Sequence, residues 1–140
     1  MRRLYRERHM LGLSVSQHPL AVMRPWLQGL GFITAQDLKG VEHGAPVHLA
    51  GEVVLVHTPP MRDGSRVFFT TIEDETGLVD LALFPRDQPR NAQVLLASPI
   101  VLVWGTQARR GATDSLITVR RVNAPPLRLP GKAKAAPRGE

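Results

Sequence analysis

Residues 67–84 read VFFTTIEDETGLVDLALF, and their pattern is the clearest indication of secondary structure in the chain. Two apolar runs flank the turn sequence at 73–77, which is closed by a glycine, and this is the pattern of a β-hairpin. Successive side chains of a strand point to opposite faces, so Phe69 and Thr71 are expected on the face opposite Ile72. An aromatic ring on the more polar face needs a cover, and a nucleic-acid base is one candidate.

The second run of the hairpin alternates in the same way, with a valine and two leucines as the expected core stripe. Phe84 falls on the opposite side of this run, beside Pro85 at the end of the strand. The candidate binding residues of the hairpin are therefore Phe69, Thr71 and Phe84. The alternative interpretation is that loops or the N-terminal segment cover Phe69 as minor core, and that Phe84 simply packs beside Pro85 at the end of the strand.

The composition predicts one globular domain in a reducing compartment. The chain has 140 residues, of which 43% are hydrophobic and 21% are charged, and this is enough for one core. It contains no cysteine, which excludes disulfides and thiolate metal sites. The basic N-terminus is not followed by the apolar run of a signal peptide, and no stretch is long enough to cross a membrane. We therefore expect a cytoplasmic protein without a membrane partner.

Positive charge is concentrated at the two ends of the chain. The formal net charge is +6, and residues 1–10 and 123–140 each carry +3. The residues between them hold ten basic and ten acidic side chains, so the folded body is neutral overall. Attraction to nucleic acid would have to come from the basic ends and from locally clustered arginines, because the surface as a whole is not positive.

Residues 1–45 are expected to form an N-terminal arm and short helices that pack on a barrel. His18 and Pro19 have the character of a helix start, and apolar residues then recur at helical spacing. Pro25 lies within this pattern and is expected to kink or restart the helix. From Pro46 the apolar period changes to two, which marks the change from helix to strands.

Five strands are expected after that point, with a helical or irregular connector between the third and the fourth. They cover residues 47–57, where Gly51 is expected to allow a bend, the two runs of the hairpin, 100–106 and 115–122. This order matches the OB-fold, a five-stranded Greek-key barrel. The predicted fold class is therefore all-β with minor α. The OB-fold domain would cover 46–123, preceded by the short helical segment at 1–45 and followed by a disordered basic tail at 124–140.

An OB-fold usually binds its ligand on the face of its second and third strands and with the two loops beside that face. Here the loop between the first two strands carries Arg62 and Arg66, and the loop between the last two carries Arg109 and Arg110. These four arginines are candidate phosphate contacts, or else ordinary solvated loop residues. Two further arginines are adjacent in the last strand and point to opposite faces, so at most one of them can join the site.

Two motifs carry a resemblance to a known family. Residues 11–20, LGLSVSQHPL, and residues 51–85, GEVVLVHTPPMRDGSRVFFTTIEDETGLVDLALFP, resemble the C-terminal region of bacterial C-family DNA polymerases. Among the polymerase III alpha subunits and their paralogues, the sequence is most similar to the error-prone DNA polymerase. The resemblance covers roughly residues 10–122 and implies an OB domain. The hairpin by itself also resembles the anticodon-binding OB domains of some aminoacyl-tRNA synthetases.

The resemblance implies a binding role without a catalytic site. The polymerase regions of the family would lie before Met1, so no catalytic carboxylate can be carried over, and we expect no enzyme activity. The acidic residues at 73–75 suggest a metal site at first, but a role in the turn, with Asp74 capping backbone groups, is the favoured interpretation. The five histidines show no shared ligand spacing, so we expect neither a metal nor a cofactor.

The sequence therefore predicts a non-catalytic module that binds single-stranded DNA, with RNA left open as a ligand. Bases would stack on the aromatic face, while the loop arginines and the basic ends neutralise phosphates. A C-family polymerase or other replication and repair proteins are the expected protein partners. The alternative is a protein-interaction module that docks polymerase or mutagenesis-complex partners, and the neutral body of the chain keeps this alternative open.

Overall fold

The structure is a computed structural model and describes residues 18–109, 111 and 114–126. The predicted N-terminal arm before His18, the candidate Arg110 and the predicted tail after Pro126 lie outside the described residues. Among the residues that are described, no helix is long and apolar enough to cross a membrane.

Five strands close into one barrel. They are β1 (Pro46–His57), β2 (Phe68–Asp74), β3 (Gly77–Leu83), β4 (Ile100–Arg109) and β5 (Ser115–Asn123). Their order around the barrel is β1-β2-β3-β5-β4, and neighbours are antiparallel except for β3 and β5, which pair in parallel through Leu81 and Ile117. The predicted fold class, a five-stranded Greek-key barrel with minor α, is confirmed.

The interior of the barrel is filled by the side chains that the hairpin pattern assigned to the core. Ile72 and Leu81 are almost fully buried, and they meet apolar side chains from the other strands. Thr70 is buried on the same side of β2, whereas Phe69 and Thr71 remain partly exposed on the outward side. The two faces of the hairpin are therefore those that simple alternation predicts.

Two glycines stand where strands approach one another closely. A Cβ atom at Gly51 would lie 2.9 Å from the Cβ of Ile72, and a Cβ at Gly105 would lie 2.5 Å from the backbone oxygen of Thr118. A side chain does not fit at either distance, so glycine lets β1 and β4 bend around the barrel. β1 accordingly pairs with β4 over its first half and with β2 over its second half.

Helix α1 (Pro19–Gly29) packs against one side of the barrel. Its buried Leu20 and Leu27 form a second apolar cluster with Ala50 of β1 and its neighbours. The expected restart at Pro25 does not occur, because one helix continues through this residue. Pro25 is exposed, and the packing of the apolar side of the helix outweighs the one backbone hydrogen bond that proline removes.

The connector between β3 and β4 contains helix α2 (Arg90–Ala97), two of whose apolar side chains join the barrel core. The side-chain amide of Asn91 donates to the carbonyl oxygens of Asp87 and Arg120 at 2.7 and 3.0 Å. Its oxygen accepts from the backbone N–H of Val122 at 2.9 Å. These bonds fix the last part of β5, and with it the position of Arg120, relative to the end of β3.

Candidate nucleic-acid interface

The outward face of β1, β2 and β3 carries a small aromatic platform. Phe69 pairs with His57 of β1 on one side and with Ala82 of β3 on the other. The rings of His57 and Phe69 are stacked, with centroids 5.6 Å apart and an angle of 26° between their planes. His57 is exposed and Phe69 is half-buried, so the pair presents a supported aromatic surface that a ligand can reach.

A groove of about 180 Å³ lies beside this platform. His57, Phe69, Thr71 and Asp80 are among the residues that line it. Thr71 and Asp80 form the next outward cross-strand pair after Phe69, and the hydroxyl of Thr71 donates to Oδ1 of Asp80 at 2.9 Å. The structure thus brings the candidates Phe69 and Thr71 to the same open groove.

Phe84 lies at a second groove of about 400 Å³, which is also lined by Arg86, Thr118 and Arg120. Its side chain is 37% exposed. Nε of Arg86 and Nη1 of Arg120 lie 3.9 and 3.8 Å from Oδ2 of Asp87, so one carboxylate holds two cations beside the ring. Both arginine side chains are more than half exposed, so both can also reach a ligand in this groove.

The loop between β1 and β2 carries two of the candidate arginines on an ordered tip. The carboxylate of Asp63 accepts from the backbone N–H and the hydroxyl of Ser65 at 2.9 and 2.7 Å, which closes the turn beside Arg62. Arg66 donates one guanidinium N–H to the carbonyl oxygen of Thr58 at 2.9 Å, which uses one of its five donors. Arg62 and Arg66 are both exposed.

Arg109 was expected in the other candidate loop but is the last residue of β4, and its guanidinium binds backbone carbonyl oxygens of the chain. It donates to the carbonyl oxygens of Leu38, Lys39 and Val41 at 3.2, 2.6 and 3.1 Å. These carbonyls lie at the end of a short 3₁₀ helix, which the arginine closes in the manner of a basic C-terminal cap. Its phosphate contact stays a prediction, as does that of Arg110, which lies outside the described residues.

The acidic turn of the hairpin holds two parts of the structure together. Asp74 is buried, and its Oδ1 accepts from the backbone N–H groups of Thr76 and Gly77 at 2.7 and 3.1 Å. Its Oδ2 accepts from the backbone N–H of Ala35 at 2.8 Å. One carboxylate therefore closes the β2–β3 turn and ties it to the segment before β1, which agrees with the turn interpretation of these acidic residues.

Arg24 of α1 forms an ion pair with the same turn. Its Nε and Nη2 donate to the two carboxylate oxygens of Glu75 at 2.7 and 2.9 Å, and Nη2 is 3.5 Å from Oδ2 of Asp74. Burial acts to raise the pKa of Glu75, but hydrogen bonds from Arg24 and the backbone, together with the Arg24 charge, outweigh burial and lower this pKa. The hydrogen bond to Glu75 is the main reason why the pKa of Arg24 is raised.

His18, Glu52 and Glu73 bring an imidazole and two carboxylates together. Their ligand atoms lie within 4.8 Å of one another, a spacing at which a metal ion could be held. However, Nδ1 of His18 accepts from the backbone N–H of Leu20 at 3.1 Å and caps α1. The proton of a neutral imidazole then sits on Nε2, which faces the carboxylates, and a cation there would move it to Nδ1 and break the cap. The hydrogen bond of His18 therefore favours a role as helix cap over a role as metal ligand.

The outward surface also contains His57 and Arg86, which were not among the candidates predicted from the sequence, and Arg120, one of the two adjacent arginines of which at most one was expected at the site. His57 reaches Phe69 because β1 pairs with β2, and Arg120 reaches the second groove on β5, which pairs with β3. A sequence read strand by strand does not show which strands become neighbours. The adjacency of two arginines in β5 predicted that at most one could join the site; Arg121 instead lies over a tryptophan ring.

The closed barrel defines an OB-fold domain, and its Phe69 groove lies on the face of the second and third strands that such domains use for ligands. The sequence profile of one family covers the barrel, from residue 47 to residue 120. By that match the chain belongs to the family of OB-fold nucleic acid binding domains.

The chain is also similar to a segment of error-prone DNA polymerases. The chain is 36% identical over 110 residues to the error-prone DNA polymerase of Alkalilimnicola ehrlichii, and the aligned region covers 79% of this chain and 10% of that polymerase. It is 34% identical over 117 residues to that of Ralstonia nicotianae, which covers 84% of this chain and 11% of the relative. The chain thus spans about a tenth of the length of these curated relatives. The predicted resemblance to the error-prone C-family polymerase is confirmed.

Solved structures share the fold at lower sequence identity. Asparaginyl-tRNA synthetase from Pyrococcus horikoshii, complexed with asparaginyl-adenylate, matches with a TM-score of 0.53 and 21% identity over 66% of this chain and 22% of the synthetase. RecG bound to a three-way DNA junction matches with a TM-score of 0.52 and 20% identity over 68% of this chain and 12% of RecG. These similarities support the barrel fold alone.

Proposed function

We propose that this chain is a non-catalytic module that binds single-stranded DNA on the outward face of its barrel. Bases would stack on Phe69 and Phe84, with Thr71 beside the first of these rings. The observation that carries the proposal is the partly exposed ring of Phe69, stacked on His57 at 5.6 Å and open to a groove. Stacking of one base on an aromatic side chain contributes about 1–3 kcal/mol to binding.

Phosphate groups would be held by arginines on both sides of the rings. The exposed ones are Arg62, Arg66, Arg86 and Arg120. Arg109 would add little, because its guanidinium already binds three carbonyl oxygens, and Arg110 is proposed from its place in the adjacent loop. Asp80 lies on the same face, so the attraction is local to the arginines and does not come from a uniformly positive surface.

We also propose that the module acts together with a C-family DNA polymerase, either as a part of the polymerase or as its partner. The place of action would be the cytoplasm. Similarity to a segment of error-prone polymerases over 79% of this chain supports this association. The proposed domain boundaries are those expected from the sequence, with the N-terminal segment at 1–45, the OB-fold at 46–123 and the basic tail at 124–140. A non-catalytic role agrees with the buried Asp74, whose carboxylate closes a turn.

Salt dependence of binding tests the phosphate contacts. For single strands the slope of log K against log salt is about −0.7 per phosphate contact, so three contacts would reduce affinity by at least about tenfold between roughly 50 and 200 mM salt. Fluorescence anisotropy of a labelled oligothymidine measures this slope. The double variant Arg62→Ala/Arg66→Ala should make the slope shallower by about 1.4, whereas Arg121→Ala, changed at a residue over a tryptophan ring, should leave it nearly unchanged. An affinity for oligothymidine that does not change with salt concentration would contradict the proposal.

A second candidate function is protein docking on the same face. Leu55 and Leu78 are 54% and 61% exposed on β1 and β3, and a docked protein would remove both side chains from water. Leu55 pairs with Thr71, so both functions would use one surface. Absence of single-strand binding in the salt titration would favour this second function over the first.

A further inference from the structure

Asp80 is an acidic side chain on a face that is proposed to bind a polyanion. It is exposed on β3, it lines the groove beside Phe69, and it lies one outward pair along the sheet from the Phe69–Ala82 pair. Two residues along a strand span about 7 Å, so a polar edge of a base stacked on Phe69 can reach the Asp80 carboxylate. A phosphate contact would be disfavoured at this point, whereas a hydrogen-bond donor would be favoured.

The polar side chains of the groove present hydrogen-bond acceptors to a ligand. The hydroxyl of Thr71 donates its hydrogen to Oδ1 of Asp80 at 2.9 Å, which leaves only lone pairs on Thr71 Oγ1. A carboxylate has two oxygens and no donor, so Asp80 also presents only acceptors. Thr71 and Asp80, the two polar side chains beside the aromatic platform, can therefore only accept hydrogen bonds from a ligand.

The four bases differ in the donors that they can present to a carboxylate. Guanine has two neighbouring donors on its Watson–Crick edge, N1–H and the N2 amino group, which match the two oxygens of a carboxylate. Cytosine and adenine have one amino group beside a ring-nitrogen acceptor, and thymine has one N–H between two carbonyl oxygens. A bidentate contact with a carboxylate is thus open to guanine and closed to thymine.

We infer that Asp80 makes the Phe69 subsite selective for guanine in single-stranded DNA; this inference rests on the proposed binding of single strands to this face. Stacking supplies affinity for any base, while the Asp80 carboxylate reads the Watson–Crick edge and Thr71 fixes its orientation. The competing account is that Thr71 and Asp80 form only a stabilising cross-strand pair, in which case Asp80 opposes binding equally for all sequences.

The test uses the 140-residue protein and labelled oligothymidines of about 12 nucleotides, within the site sizes of OB-folds. One central position carries guanine, hypoxanthine (as deoxyinosine, here called inosine) or thymine; hypoxanthine is guanine without its N2 amino group. We expect affinity to be at least about fivefold higher for guanine than for inosine, since one charge-assisted hydrogen bond is lost. In Asp80→Asn the ratio should fall below about twofold, while affinity for oligothymidine stays the same or rises.

Glu42→Gln is the matched control, because it removes one exposed carboxylate of the chain away from the groove and should keep the preference for guanine. Equal affinity for guanine and inosine, or a preference that survives Asp80→Asn, would overturn the inference. In either case, oligothymidine binding that depends on Phe69 would leave the proposed function standing. Failure of every oligonucleotide to bind would overturn both.

Discussion

Replacing Phe69 by alanine is expected to weaken the binding of single-stranded DNA by roughly tenfold or more, because the loss of one stacked base costs about 1–3 kcal/mol. Phe69 is the ring that His57 supports from one side at 5.6 Å, so its removal takes away the central contact of the outward face. Anisotropy titration of a labelled oligothymidine with the wild-type and variant proteins measures the ratio of dissociation constants.

Two further variants separate stacking from general effects on the surface. Phe69→Tyr keeps an aromatic ring at the same place and should retain most of the affinity. Leu78→Ala removes a side chain that is 61% exposed and pairs with Glu73, two outward pairs away from Phe69, and it should change affinity by less than about twofold. Similar losses in Phe69→Ala and Leu78→Ala would argue for a diffuse apolar surface of the kind that binds proteins.

Replacing Asp74 by alanine is expected to lower the free energy of unfolding by about 3–5 kcal/mol, the range for removal of one partner from a buried ion pair. The variant leaves the backbone N–H groups of Thr76, Gly77 and Ala35 without their acceptor, and it removes a charge 3.5 Å from Arg24. The loss is large because the Asp74 side chain is 1% exposed, so water cannot replace these bonds. Urea unfolding followed by circular dichroism measures the change.

Asp63→Ala is the matched control for Asp74→Ala. Asp63 also closes a turn, with bonds from Ser65 at 2.9 and 2.7 Å, but it is exposed, so water can replace its oxygens and stability should change far less. Asp74→Asn keeps an acceptor for the turn and loses the charge beside Arg24, so its loss should fall between those two. If Asp74→Ala is no worse than Asp63→Ala, the Asp74 carboxylate does not stabilise the β2–β3 turn and its link to the segment before β1 as proposed.

The barrel could be predicted from the sequence because its signals are local. Alternation in residues 67–84 assigned Ile72 inward and Phe69 outward, and a glycine-closed turn joined the two runs. Gly51 was expected to mark a bend, and the close approach of Ile72 supplies its physical reason. The continuation of α1 through Pro25 could not be predicted, because the buried contacts that hold this helix come from strands distant in sequence.

The candidate site could be predicted only in part from the local sequence pattern. Phe69 and Thr71 follow from strand alternation, but the support from His57 depends on the register between β1 and β2. Arg109 has the sequence environment of a solvated loop arginine, yet its guanidinium binds carbonyl oxygens of a segment about 70 residues earlier. Register and long-range pairing decide these roles, and neither is encoded in the spacing of residues within one strand.

The most direct test of the binding face is an amide chemical-shift titration of the isotope-labelled protein with oligothymidine. We expect the largest shifts at residues 55–57, 69–71 and 80–84, the stretches of β1, β2 and β3 around the Phe69 groove, with smaller shifts in the β1–β2 loop. Helix α1, at 19–29, should remain nearly unchanged. Shifts confined to α1 or to the basic ends of the chain, with the Phe69 groove unaffected, would contradict the account.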